Sequence, residues 1–405
     1  MSQKKLLIFD ANDTVIDIIK YAKEAGYYAI TCDNNPQHEG HKYADKNVFI
    51  STYDVESLKK HFGKEEIAGI IYFTSEHGLY AASQLDEFLG VQGITVDTYS
   101  KISDKGNFRI LLEENGMNYP KYQIITKYEQ LDFKKIEFPV IVKPVDGIGG
   151  NVGVSKASDV KELDLAVKSA FENSRTSRAI IEEFIESDFQ INGDCIVVNG
   201  ELKGSFLGKH VYEVEQSIIP YATIFSEEVI GEKLKQEIDN EIRKVIKASN
   251  VCTGILNVEL RVKANGEIYF IEINPRHSGN RIYELMSKCA SISMSKLAVN
   301  LALNKNIPMN LDMNMKEKAY AYGILYSKEN GILKKLTLSE ELEKYVVDKL
   351  IFKEVGDEIS EFQHLRDRLG LLLLEFPTDE VMMRVMENFY HYYTVETSYE
   401  KSTIN

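Results

Sequence analysis

Residues 255–280 read ILNVELRVKANGEIYFIEINPRHSGN. Two runs of alternating apolar and polar residues flank Asn265-Gly266, a dipeptide that tolerates positive φ and favours a tight hairpin. A two-residue turn there sets Ala264 opposite Glu267, and further out Glu259 opposite Glu272 and Asn257 opposite Asn274. Strand side chains alternate between faces, so these four polar residues share one face. Leu256, Val258, Leu260, Ile271 and Ile273 share the other, the expected core face. Like charges directly opposed across a ladder destabilise it. Two carboxylates and a carboxamide held together on an apolar hairpin therefore call for a cation, and hard oxygen ligands suit Mg²⁺ (or Mn²⁺). Glu259, Glu272 and Asn274 are the candidate ligands; a simply solvated face is the alternative. Arg276, just past Pro275, places a further cation where a phosphoryl or carboxylate group would be met.

A second stretch asks for phosphate. Residues 140–154 read VIVKPVDGIGGNVGV, an apolar run followed by Gly147, Gly149, Gly150 and Gly153. No glycine here is followed by lysine, so the loop is not a Walker A motif. Gly147 and Gly149 would need a third glycine at Val152 to make a dinucleotide fingerprint. Strand signals on both sides instead suggest a flap whose amides fold over phosphates; a glycine-rich hairpin without a ligand is the alternative. Lys143 projects from the face opposite to Val140 and Val142, beside the loop.

The chain has 405 residues, 44% hydrophobic and 27% charged, enough for two or three domains with real cores. Its 48 basic and 62 acidic residues give a net charge of −14. That argues against general affinity for nucleic acid or anionic membranes. Four cysteines without a CxxC pair favour reduced thiols and a cytoplasmic location. The apolar stretch near the start is too short for a signal peptide, and nothing approaches a membrane helix. His38 and His41, with no evident acidic or cysteine partner, are read as solvated loop residues rather than a metal site.

The first hundred residues alternate strand and helix signals at Leu6–Phe9, Thr14–Ala25, Tyr28–Cys32, Ile67–Phe73 and on to Leu89, implying a parallel α/β sheet. The first turn, DANDT, contains no glycine, which argues against a nicotinamide dinucleotide site there. A helix runs from Ser103 to Gly116, another spans about Asp159–Asn173, and Ala179–Ile185 is a strand. Residues 194–230 read as β-rich. Residues 307–318 are polar and unpatterned, a candidate boundary before a mixed tail.

Taken together, PVIVKPVDGIGGNVGV, IIEEFIESD and NVEL…FIEINPR at their spacing resemble the ATP-grasp superfamily. The resemblance is to its carbamoyl-phosphate synthase large-chain-like and biotin-carboxylase-like members and covers roughly residues 1–310. It implies a Rossmann-like pre-ATP-grasp domain (1–100), a two-lobed ATP-grasp domain (101–310, with its ATP lid at about 120–185) and a small mixed α+β C-terminal domain (311–405). It further implies that Lys105 and Lys143 contact ATP phosphates beneath the loop 147–153. Glu182, with the backbone of Glu183 and Ile185, would hold adenine. Relatives often bind ribose through a glutamate shortly after this hinge, and Asp188 takes that place here. Glu259, Glu272 and Asn274 would bind magnesium, and Arg276 would stabilise the phosphorylated intermediate.

Glu76, in Ser75-Glu76 after the strand IIYF, matches a position near substrate in relatives. His210 faces either phosphate and substrate or the interior, and Arg281 is either the partner of a substrate carboxylate or a surface helix arginine. The expected function is an ATP-dependent carboxylate–amine (or carboxylate–thiol) ligase that forms an acyl phosphate from small-molecule substrates and releases ADP and phosphate. Carboxyphosphate chemistry is the alternative within the class, and a non-catalytic ATP-binding regulatory protein the alternative outside it. The complete set of Lys, Glu, Glu, Asn and Arg weighs against the last. A homodimer is the assembly the resemblance allows.

Overall fold

The computed structural model describes residues 3–147, 152–187, 189–213, 219–305, 307, 311, 315 and 318–398. Its first sheet is parallel, built from β1 (Lys5–Phe9), β2 (Tyr28–Cys32), β3 (Lys46–Val48) and β4 (Ile67–Ile71) in the order β3-β2-β1-β4. Leu6, Leu7, Ile8 and Phe9 are all buried, as befits a strand covered on both faces. The helices Ile16–Glu24 and Glu76–Leu89 follow β1 and β4. The short strand β3 and the helices Val55–Phe62 and Val96–Ser103 were not among the elements read from sequence.

A second, antiparallel sheet holds β5 (Tyr122–Ile125), β6 (Val140–Pro144), β7 (Ser155–Ala157) and β8 (Ala179–Glu183) in the order β5-β8-β6-β7. Val140, Val142 and Ile181 bury one face against Leu163 and Val167 of the helix Val160–Glu172. The glycine segment joins β6 to β7, so it does lie between two paired strands. The second strand begins at Ser155, with a turn before it in which Gly153 adopts φ +74°. Gly149 and Gly150 lie outside the described residues, as does Asp188.

The largest sheet is antiparallel and eight-stranded. It uses β9 (Phe189–Val198), β10 (Glu201–Val211), β11 (Ala222–Phe225), β12 (Gly254–Val262), β13 (Ile268–Asn274) and β14 (Ala319–Leu325). Of the remaining strands, β15 (Gly331–Leu338), β17 (Glu358–Ile359) and β19 (Tyr393–Ser398) form a separate three-stranded sheet. By contrast β16 (Val346–Ile351) and β18 (Gly370–Phe376) complete the large one, whose order is β13-β12-β9-β10-β11-β14-β18-β16. Strands from the last hundred residues thus continue the sheet that contains the 255–274 hairpin.

The hairpin keeps its expected outer register by an unexpected route. Lys263 N–H donates to Glu267 O (3.0 Å) and Gly266 N–H to Lys263 O (2.9 Å), with Gly266 at φ +86°. The loop therefore has three residues rather than two, a common form with glycine in the left-handed position. That shifts the near pairs to Val262↔Ile268, Arg261↔Tyr269 and Leu260↔Phe270. A bulge at Ile271 then restores Glu259↔Glu272 and Asn257↔Asn274. The expectation that Ile271 faces the core is thereby corrected. Phe270 is buried in its stead, and Ile271 lines a cavity.

Candidate active site

One cavity of about 760 Å³ lies between the three larger sheets. The helix after β4 contributes Glu76, the second sheet Lys143 and Glu182 with Gly147 just past β6, and the largest sheet His210, Glu259, Glu272 and Asn274. Arg276 and Lys105 line it as well. Residues up to two hundred positions apart in sequence thus meet in one place.

Glu259 and Glu272 are directly opposed on β12 and β13. The two carboxylates differ in their surroundings. Burial and the neighbouring Glu272 push Glu259 above the ordinary carboxylate range. Burial also opposes charge on Glu272, but Lys105, Lys143 and the Asn274 amide outweigh it and hold the pKa at about 2. Lys105 Nζ lies 3.3 Å from Glu272 Oε1, and Asn274 Nδ2 donates to the same oxygen (2.7 Å). Gln190 Nε2 donates to Glu259 Oε1 (2.6 Å). A divalent cation fits this donor set, because it would relieve the repulsion that keeps Glu259 reluctant to ionise. Among the described residues no three His, Cys, Asp or Glu side chains converge. A cation here would thus complete its shell with the amide and with ligand or water oxygens.

The depressed pKa of Glu272 carries a sign. Its charged form is favoured in the fold, so its contribution to stability is present above its ordinary value of 4.5 and is lost as pH falls toward 2. Thermal scans of metal-free protein should therefore show wild type melting above Glu272→Gln at neutral pH, with the gap closing between about pH 4.5 and 2.

Behind the carboxylates sits a second charged cluster. Glu182 on β8 accepts from Arg109 Nε (2.7 Å) and pairs with Lys143 Nζ (2.7 Å), all three being buried. Burial disfavours the Glu182 charge, but the two cations more than offset it and lower its pKa. Burial dominates at Lys143 and lowers its pKa despite Glu182. At Lys105 burial is overcome by Glu272, Glu76 and Glu182, which raise its pKa. Arg109 Nη2 also donates to the carbonyl of Ile271, the bulged residue (2.7 Å). Arg109 was missed in sequence, although it stands four residues after Lys105 and hence on the same face of the helix Lys105–Glu114.

At the hinge, Glu183 N–H donates to Lys121 O (2.9 Å), and Ile185 O accepts from Arg261 Nη1 (2.7 Å). His210 is buried and shares a bond with Thr223 Oγ1 (2.6 Å, Nδ1); desolvation and Arg261 lower its pKa to about 3, so the ring is neutral.

The turn after β13 is organised by Asp194, another residue sequence reading passed over. Its fully buried carboxylate accepts from Ser278 N–H (2.9 Å), Asn257 Nδ2 (3.3 Å) and His277 Nδ1 (2.8 Å). This fixes Arg276, which donates to His277 O (2.8 Å) and pairs with Glu76. Asp194→Ala strands these donors, so a loss of about 2 kcal/mol is expected, which thermal unfolding would register as a Tm drop of about 5 °C. The signal was present: Gln190, Asn192 and Asp194 alternate with Ile191, Gly193 and Cys195, and this alternation starts ahead of residue 194, where the β-rich region was taken to begin.

Arg281 is not brought to the cavity. It adopts φ +53° and is held by Asp13, Asp348 (3.0 Å) and Glu284 (3.3 Å). His38 pairs with Asp33, and His41 with Thr31 (2.9 Å, Nδ1 to Oγ1). All four cysteines are free, and among the described residues no helix is long and apolar enough to cross a membrane.

Comparison with known proteins is consistent with this geometry. Residues 111–301 match the family model described as D-ala D-ala ligase C-terminus. The carbamoyl phosphate synthase large chain of Thermotoga maritima is 26% identical over 291 residues, 71% of this chain, which spans about a quarter (26%) of that relative's length. Among solved structures, the L-amino acid ligase from Bacillus licheniformis superposes with a TM-score of 0.81 at 18% identity, covering 98% of this chain and 100% of that one. The biotin carboxylase domain dimer of Hydrogenobacter thermophilus 2-oxoglutarate carboxylase, in complex with MgADP and bicarbonate, gives 0.72 at 15%, covering 98% and 91%. The shared fold, the matched family model and the curated relatives converge: this chain is similar to the ATP-grasp ligases.

Proposed function

We propose that the protein is an ATP-dependent ligase that activates a carboxylate as its acyl phosphate and passes it to an amine or thiol. The observation that carries this reading is the opposed pair Glu259 and Glu272 in one cavity with Lys105, Lys143 and Arg276. Such chemistry needs positioning and charge neutralisation rather than a protein nucleophile. Magnesium held by Glu259, Glu272 and Asn274 would neutralise triphosphate charge. Lys105 and Lys143 would bind phosphate oxygens, with Glu182 keeping Lys143 in place. Gly147, Gly149, Gly150 and Gly153 would close over those phosphates.

No hydrogen bond within the chain engages the Ile185 N–H among the described residues, so it is offered to adenine. The Glu182 carboxylate, already held by two cations, is assigned to the phosphate-binding lysine rather than to the base. Asp188 remains the proposed ribose ligand. Arg276, steered by Glu76 and the Asp194 turn, would meet the phosphorylated intermediate, and His210 would serve as a neutral wall beside Arg261. Residues 1–100 would supply the acceptor side, and the segment after 311 the remaining wall. The Hydrogenobacter domain dimer supports a homodimer as the proposed assembly.

The test is ADP release in Mg²⁺ over a matrix of carboxylates and amines. One pair should give turnover that EDTA abolishes; tight ATP binding with no turnover for any pair would favour a non-catalytic role. The likeness to carbamoyl phosphate synthase large chains supports a second reading, carboxyphosphate formation. ADP release that depends on bicarbonate alone would select it.

A further inference from the structure

Most basic groups lining the cavity are already matched. Lys105 faces Glu272, Lys143 faces Glu182 and Arg276 faces Glu76. Arg261 is held by Ile185 O and by Gln190 Oε1 (2.9 Å). Arg368, two residues before β18, is different. It lines the same cavity, yet among the described residues its one hydrogen bond is from Nη1 to Asn280 Oδ1 (3.1 Å), and no carboxylate pairs with it. A guanidinium carries five N–H donors, so most of its capacity is unused within the chain. Burial lowers its pKa, a desolvation cost that Tyr322 offsets only in part and that no carboxylate offsets among the described residues.

The local structure is arranged to hold this cation where it is. Its guanidinium packs over the Phe352 ring at 4.7 Å, which fixes its plane. Asn280 adopts φ +56° and Arg281 φ +53°, two successive non-glycine residues in the left-handed region. Each such residue costs on the order of 1 kcal/mol and persists where the surroundings demand it. Asn280 also lies beside Tyr322, where it eases the phenol's desolvation. Tyr322 lies across the ladder from Thr223, the partner of His210. Arg368 thus ends a polar row that runs along the cavity wall, anchored four residues beyond Arg276.

We infer that Arg368 binds a second, non-reacting oxyanion of the substrate, a carboxylate or a phosphate, separate from the carboxylate activated beside Glu259, Glu272 and Arg276. The inference rests on the ligase reading for the identity of the ligand as substrate. The substrate class it implies carries an anionic handle in addition to its reacting group.

The test uses full-length protein saturated with Mg²⁺ and a non-hydrolysable ATP analogue, titrated with acetate and separately with inorganic phosphate by thermal shift. Wild type should bind one of the two, and which one identifies the handle. Arg368→Gln should weaken that binding at least tenfold. Arg368→Lys should weaken it less, and serves if the Gln variant does not fold. Arg384→Gln, at a distant exposed ion pair with Glu341, should leave it unchanged. In turnover, Arg368→Gln should raise the substrate KM with kcat and the ATP KM held. Equal anion affinity in wild type and Arg368→Gln, or no anion binding by wild type, overturns the inference. Failure of the nucleotide analogue to bind overturns the ligase reading instead, and titration of the nucleotide-free protein then still decides Arg368.

Discussion

Glu272→Gln is expected to reduce substrate-dependent ADP formation by about a thousandfold or more while the protein stays folded. The substitution keeps the shape of the side chain and its bond with Asn274, and removes one negative charge. That charge is the counterweight to Lys105 and Lys143 and half of the carboxylate pair. With a neutral amide in its place, the pair would hold a divalent cation far more weakly, and raising Mg²⁺ should recover only part of the rate. The variant should remain folded, because Leu256, Val258, Phe270 and Ile273 anchor the hairpin from the other face. Circular dichroism and a cooperative melt would establish that; a folded variant with wild-type turnover would sink the metal assignment.

Glu182→Ala should produce the largest loss of stability. Removing one partner of a buried ion pair leaves an uncompensated charge and costs about 3–5 kcal/mol. Here two buried cations, Arg109 and Lys143, would be left facing each other without their shared carboxylate. A Tm drop of about 10 °C is the expected outcome in thermal unfolding. Lys143, already depressed by burial, would lose its proton more readily, so any surviving activity should fall further as pH rises. An unchanged Tm would mean that the cluster is hydrated rather than dry. Arg109→Met with Glu182→Gln tests the same point from the other side, since it leaves one buried cation rather than two without the carboxylate and should cost less than removing Glu182 alone.

What sequence could and could not supply follows from the range of the forces involved. The hairpin was legible because an Asn-Gly turn and strict alternation are local. Its inner register was not, because the three-residue loop and the bulge at Ile271 each shift the pairing by one and cancel before Glu259. The carboxylate pairing was therefore right while the intermediate pairs and the face of Ile271 were not. Lys143, Glu182, Lys105, Glu76 and Arg276 do come together, yet only contacts across 73 residues join Arg109 to Glu182. No periodicity reports such a pairing. Arg281 stood in sequence between a substrate partner and a surface arginine, and its left-handed backbone turns it toward Asp13 and Asp348. Arg368 lies 88 residues from the Asn280 that positions it, beyond the reach of any motif.

The continuity of the eight-stranded sheet bears on how this protein can be divided. β11 is a four-residue strand with every residue buried, and its outer neighbour is β14. Cutting the chain between 311 and 319 would bare that strand's backbone edge together with apolar surface on Ile224 and Phe225. Such an exposed edge is a template for pairing with other chains. The last hundred residues are thus not a detachable appendage but the cover of a sticky edge. A chimera that exchanges this segment with a relative would have to preserve the β11–β14 seam, or it would precipitate before its specificity could be read.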